Sequence, residues 1–328
     1  MVVSQAHTPL TIDVALSIGS PDVVTALVIV AVLALYWWCW RRSTLSLGRA
    51  LLFTILGAGV WLASAVSFIG AYADVLFWVR ALQFVLLLLV VPFGLALGMP
   101  LTALRDAVGE RGRRRIDAAL RSRFLRVLTS PPVTSAGVLA LPWLIYFTGW
   151  YETILRNNVV DVATRLLMVA IGFGYFYTRL QLDPVPRRYP QALSLGITVI
   201  ETIGDGILGI VIWQGPLIAA GYYASLGRHW GPDMRLDQTI GAGILWILGD
   251  VVGLPFLMAL FARFRADERV REREEDARIE ERHTTMATTD TTSGAAGPTP
   301  AHQHQHDEPA DTGLWWENDP GLRDRFRR

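Results

Sequence analysis

An all-helical, polytopic integral membrane protein with seven transmembrane helices is the fold class that the sequence predicts. Three observations predict it. Of the 328 residues, 52% are hydrophobic and only 18% are charged, and the mean hydropathy is +0.35. The apolar residues gather in long windows with few charges, and a bilayer core ~30 Å thick needs about 20 such residues per helix. Arginine then favours every second connection between those windows, as membrane topology requires.

Residues 1–22 contain no Arg and lack the basic start of a cleavable signal, so they form an extracytoplasmic N-terminal segment and the first span is expected to be retained. The seven-span membrane domain covers 23–262. Its first window, 23–40, ends in Trp37, Trp38 and Trp40 just before Arg41 and Arg42, an aromatic belt at the cytoplasmic interface. The second and third windows are 51–71 and 75–98, joined near Ala71–Asp74 without any Arg. The connection 99–132 carries Arg105, Arg111, Arg113, Arg114, Arg115, Arg121, Arg123 and Arg126. Windows 133–150 and 159–180 follow, with only Arg156 between them, and then 191–213 and 237–262. The arginine alternation puts the N-terminus outside and the C-terminus in the cytoplasm.

The composition changes abruptly after Phe261. Residues 263–282 are densely charged, with pairs such as Asp267–Arg271 and Glu274–Arg278 at helical spacing, and read as a charged cytoplasmic helix. Residues 283–328 read as a disordered cytoplasmic tail. It contains His302, His304 and His306, a weak site for divalent transition metals or else a low-complexity linker. Trp315 and Trp316 near its end read equally as a docking motif or as an unstructured terminus.

Absences exclude several chemistries. One cysteine, Cys39, rules out a disulfide scaffold. All 30 basic residues are Arg. With no Lys there is no Schiff-base chemistry, no Walker lysine and no lysine-tethered retinal. None of the six His falls within a span, which disfavours membrane haem. No nucleophile elbow, zincin or P-loop pattern occurs, and nucleic acid is not expected as a partner.

Ionisable groups inside spans cost about 2.5–3.5 kcal/mol each at a helix centre, so they are the candidates for function. They are read here as Arg80, Asp161, Arg165, Glu201, Asp205 and Asp250, two Arg against four acids. Asp161 and Arg165 are i,i+4 and share a helix face. Glu201 and Asp205 also share a face and repel unless a proton or cation intervenes. This polar cluster, with Gln83, is either a site opening towards the outer face or an ion-pair network that fixes packing. The acids at mid-membrane, Glu201, Asp205 and Asp250, also fit an ion-coupled transporter or channel.

Asp237-Gln238-Thr239-Ile240-Gly241-Ala242-Gly243-Ile244-Leu245-Trp246 resembles the signature of the seven-helix CtaG family of caa-type cytochrome c oxidase assembly factors. Weaker matches follow in the expected order: Gly98–Leu101, Ser130-Pro131, Tyr146–Thr148 with Tyr151-Glu152, and Asp183–Pro186. The signature residues are Asp237, Gln238, Gly241 and Trp246. The resemblance covers residues 20–265. It implies a non-enzymatic assembly factor in the bacterial plasma membrane, with respiratory oxidase subunits as partners and copper as cofactor. It also exposes departures. The family's intramembrane histidines fall here on Arg80 and Phe84, on Asp161 and Arg165, and on Asp205. Copper favours imidazole, thiolate and thioether ligands, so the family's copper site is not expected in this divergent member.

Overall fold

A computed structural model describes residues 8–10, 23–184 and 191–248, and isolated positions beyond (251, 258, 265, 269, 272, 273 and 275–279). Every regular element among the described residues is helical. The chain divides into two compact units, Met1–Glu268 and Arg269–Arg328. In the second unit the described residues are helical.

In the first unit, α1 runs over Val23–Trp40 and α2 over Leu47–Val66. A short α3, Phe68–Tyr72, starts at Ser67, whose hydroxyl accepts the Ile69 amide. The helix α4 spans Phe77–Leu97. Three short helices follow: α5 (Pro100–Ala107), α6 (Glu110–Leu120) and α7 (Arg123–Leu128). Next, α8 (Pro131–Phe147) and α9 (Trp150–Arg156) are bent against each other by 73°. Then come α10 (Asn158–Leu180), α11 (Gln191–Gln214), α12 (Ala220–Ser225) and α13 (Met234–Gly243), which continues as a π-helical turn at Ile244–Leu248.

Among the described residues, four helices are long and apolar enough to cross a bilayer: α1, α2, α4 and α10. The bent α8–α9 pair makes a fifth if it is one span. Helix α11 has 24 residues, about 36 Å at 1.5 Å per residue. The last expected window, 237–262, is described continuously only to residue 248. The second expected span ends before its window does, because the helix breaks at Ser67, whose backbone is extended. The fourth likewise stops at Phe147, where Thr148 leaves helical geometry and its hydroxyl turns back onto the Leu144 carbonyl.

Without a hydrophobic drive between helices in lipid, close backbone packing must hold the bundle. Helices α2 and α4 meet through glycine: a Cβ on Gly94 would stand 2.4 Å from the Gly57 nitrogen. Helix α10 crosses α4 the same way, since a Cβ on Gly172 would stand 2.1 Å from the Leu88 carbonyl oxygen. Helix α4 is thereby the central element, and it carries Arg80 and Gln83.

Candidate functional site

Arg80 lies in the first turns of α4 and is 1% exposed. Its guanidinium donates to Asp161 Oδ1 at 2.7 Å and to Gln83 Oε1 at 3.1 Å, and pairs with Asp74 in the preceding loop. Asp161 Oδ2 takes the Arg165 guanidinium at 3.1 Å, the i,i+4 contact expected from spacing. Gln83 donates onward to the Ser64 carbonyl, tying α4 to α2. Asp161 sits in the first turn of α10, whose amides at Val159 and Val160 are capped by Asn157. Two guanidinium groups thus face two carboxylates. Burial raises the Asp74 carboxyl above its ordinary range, and Arg80 opposes that rise. Beside this cluster the hydroxyls of Tyr151 and Tyr223 bond at 2.8 Å.

A second cluster lies where α8, α10 and α11 meet. Arg179, in the last turn of α10, is 0% exposed. It pairs with Glu201 at 2.8 Å and donates to the Ser135 hydroxyl. Tyr175 donates to the other Glu201 oxygen at 2.7 Å, and its ring lies 4.9 Å from the Arg179 guanidinium. The expected count of two Arg against four acids becomes three against four, because Arg179 belongs to the interior and pairs with Glu201. In a helix, side chains point towards the N-terminus, so an Arg in the last turn of α10 is aimed back into the bundle. Asp205, one turn beyond Glu201, is half-buried. Asp250 lies outside the described residues, as do His302, His304 and His306.

The signature residues form a third group. Asp237 accepts the Trp78 amide at 2.9 Å and the Arg228 guanidinium at 3.1 Å. Gln238 accepts the Ile218 amide and donates to the carbonyls of Ile212 and Pro216. It thereby closes the C-terminal end of α11, where carbonyls lack helical partners. Gly241 lets α13 approach Phe77: a Cβ there would stand 2.4 Å from the ring. Trp246 packs where a Cβ on Gly209 would be 2.8 Å from it. Two weaker motifs also meet. Asp183 accepts the amides of Leu101 and Thr102 and the Thr102 hydroxyl, capping the start of α5. Tyr36 donates to the Gly98 carbonyl at 2.8 Å. Burial raises the Asp183 carboxyl, while the Thr102 bonds oppose the rise.

Spacing found Asp161–Arg165 but missed Asp74, Arg179, Asp183 and the Tyr151–Tyr223 pair. Nothing local marked Arg179, whose partner Glu201 lies on the next helix. Donor chemistry does not fit a copper ion. Both oxygens of Asp161 are taken by guanidiniums. Met168 is packed in the apolar core, and no group of three His, Cys, Asp or Glu converges among the described residues.

A family model described as cytochrome c oxidase caa3 assembly factor matches residues 31–267. Uncharacterized proteins of Mycobacterium bovis and Mycobacterium tuberculosis are each 26% identical over 72% of this chain and 37% of their own length. One from Mycobacterium leprae is 24% identical over 64% of this chain and 33% of its own. The chain thus spans little more than a third of the length of the curated relatives it matches. No solved structure matches.

Proposed function

The chain belongs to the cytochrome c oxidase caa3 assembly factor family, and from that premise we propose that it is a non-enzymatic assembly factor for a respiratory oxidase in the bacterial plasma membrane. The family match over residues 31–267 carries the reading. The arrangement of its signature supports it. Asp237 and Gln238 spend their polar atoms on backbone amides, carbonyls and Arg228. They hold helix ends in place, which is what a docking scaffold needs. The bundle crosses the membrane seven times, with the N-terminus outside and the C-terminal tail in the cytoplasm. The Arg alternation favours this topology, and four helices among the described residues, or five if the bent α8–α9 pair is one span, are long and apolar enough to contribute to it. Its interior polar layer is built from Arg–carboxylate pairs, so it contributes contact and geometry to assembly and does not hold copper in its spans.

Deleting the gene and recording haem–copper oxidase spectra of native membranes tests the reading. Loss of the oxidase bands, restored by the full chain, is expected, together with co-purification of oxidase subunits. Normal bands in the deletion strain, with no oxidase subunit captured, overturn it.

A further inference from the structure

The apolar interior opens into a cavity of about 430 Å³ between α1, α2, α5, α6, α7 and α10, within the ~300–1,000 Å³ of ligand sites. Leu35 and Cys39 of α1, Leu104 of α5, Leu120 of α6, and Phe173 and Gly174 of α10 line it. These walls are predominantly apolar, with the polar groups of Tyr36, Cys39, Thr129 and Tyr177 making up a minor part.

The chain flanking two of its lining residues is different. Leu120 and Leu125 also belong to the lining, and Arg121 and Arg126 follow them directly, with Arg123 between. The Arg126 guanidinium donates to the Arg121 carbonyl. On α7 these arginines alternate with Phe124, Val127 and Leu128, which are 75%, 58% and 48% exposed. A short cationic element with bare apolar side chains is the make-up of a segment lying in a headgroup layer. The α1 wall ends alike: Cys39 is followed within three residues by Arg41 and Arg42, and Arg42 stacks on Trp38 at 4.3 Å. Residues 99–132 carry eight Arg against Asp106, Glu110 and Asp117. Those three acids are already paired, with Arg113, Arg114 and Arg105. Arg111, Arg115, Arg121, Arg123 and Arg126 have no carboxylate partner among the described residues.

We propose that this cavity is a binding site for one anionic phospholipid, with an acyl chain between α1 and α10 and its phosphate held at the rim by Arg121, Arg123 and Arg126. An apolar chamber beneath a surplus of unpaired arginines matches a molecule with a hydrocarbon tail and a negative head. A neutral phospholipid fills the chamber but leaves the arginines uncompensated. The inference requires only that the chain sits in a bilayer, not that it serves an oxidase.

Native mass spectrometry of the purified full chain, offered phosphatidylglycerol or phosphatidylcholine, tests it. One phosphatidylglycerol retained per chain is expected, preferred over phosphatidylcholine by at least about tenfold. The triple variant R121Q/R123Q/R126Q brings the two lipids towards parity. Gly174→Leu projects into space, since a Cβ there meets nothing within 4 Å, and it removes both lipids without lowering the melting temperature. Equal retention of the two lipids overturns the proposal. So does a preference unchanged in the triple variant, retention that survives Gly174→Leu, or occupation of the face by a second copy of the chain.

Discussion

Replacing Arg179 by Met, Glu201 by Leu, and both together separates a structural ion pair from a working acid. Arg179 is 0% exposed and Glu201 is 8% exposed, and they pair at 2.8 Å. Removing either leaves the other charge buried without its counterion, a loss of about 3–5 kcal/mol in protein interiors. The inserted but unassembled chain finds partial partners for a lone charge, which moves the expected loss towards about 3 kcal/mol. Removing both exchanges the pair for apolar volume, which is often neutral or stabilising. The double variant is therefore expected within about 1 kcal/mol of the parent, giving a coupling energy of about 5 kcal/mol. SDS titration in mixed micelles, followed by tryptophan fluorescence, reads these values. Oxidase spectra of the complemented deletion strain read function, which the double variant is expected to retain. Single variants that unfold like the parent refute the reasoning, as does a double variant no more stable than the singles. A stable double variant lacking the oxidase bands would show that the pair does more than hold the bundle, and liposome proton flux lost on Glu201→Leu would then mark a transporter.

Three further outcomes follow from the geometry. Gly94→Ala forces a methyl to within 2.4 Å of the Gly57 nitrogen and should cost about 1–3 kcal/mol in the same titration, whereas Gly243→Ala, with open space around its Cβ, should not destabilise; equal effects would remove the case for glycine-mediated packing. Asp183 titrates above its ordinary value of 3.8 in the folded state, so the folded chain keeps a proton that the unfolded chain has lost. Its contribution is complete below that value and declines as pH rises through the folded pKa. The melting temperature of Asp183→Asn relative to the parent should rise as pH increases from about 4, and a difference independent of pH would contradict the sign. Elemental analysis of the purified chain should find far less than one copper per spanning domain; stoichiometric copper lost on Asp161→Ala or Asp205→Ala would show that the carboxylates ligate after all.

Much of the fold is legible because hydropathy and length are local properties. The windows at 23–40, 75–98 and 159–180 correspond to α1, α4 and α10 within about two residues. The Asp161–Arg165 contact is also local and follows from spacing alone. The breaks at Ser67 and Thr148 are not legible, since each lies inside a continuous apolar window and depends on one residue leaving helical geometry. Arg179 escapes for a different reason. A charge in the last turn of a span ordinarily reads as snorkelling outwards, and only α11 beside it, bringing Glu201, reverses that. Asp74 lies in a loop and takes its meaning from Arg80. The signature at Asp237 and Gln238 is visible as a pattern, yet its capping work appears only once Trp78, Ile212 and Ile218 are seen to converge on it.

The spacing of the charge pairs along the chain bears on how the protein can be made. A guanidinium entering the bilayer before its counterion exists would stall or invert the segment that carries it. Arg80 does not face that problem, because Asp74 lies only six residues earlier and leaves the ribosome first. Asp161 arrives 81 residues later together with Arg165, which compensates it on the same helix. Arg179 and Glu201 are 22 residues apart, on consecutive helices, so α10 and α11 can leave the translocon as one hairpin with that pair already formed. Each stage of biogenesis thus hands the lipid a nearly uncharged unit. The order of synthesis, as much as the finished bundle, explains where this chain can carry ions through a membrane.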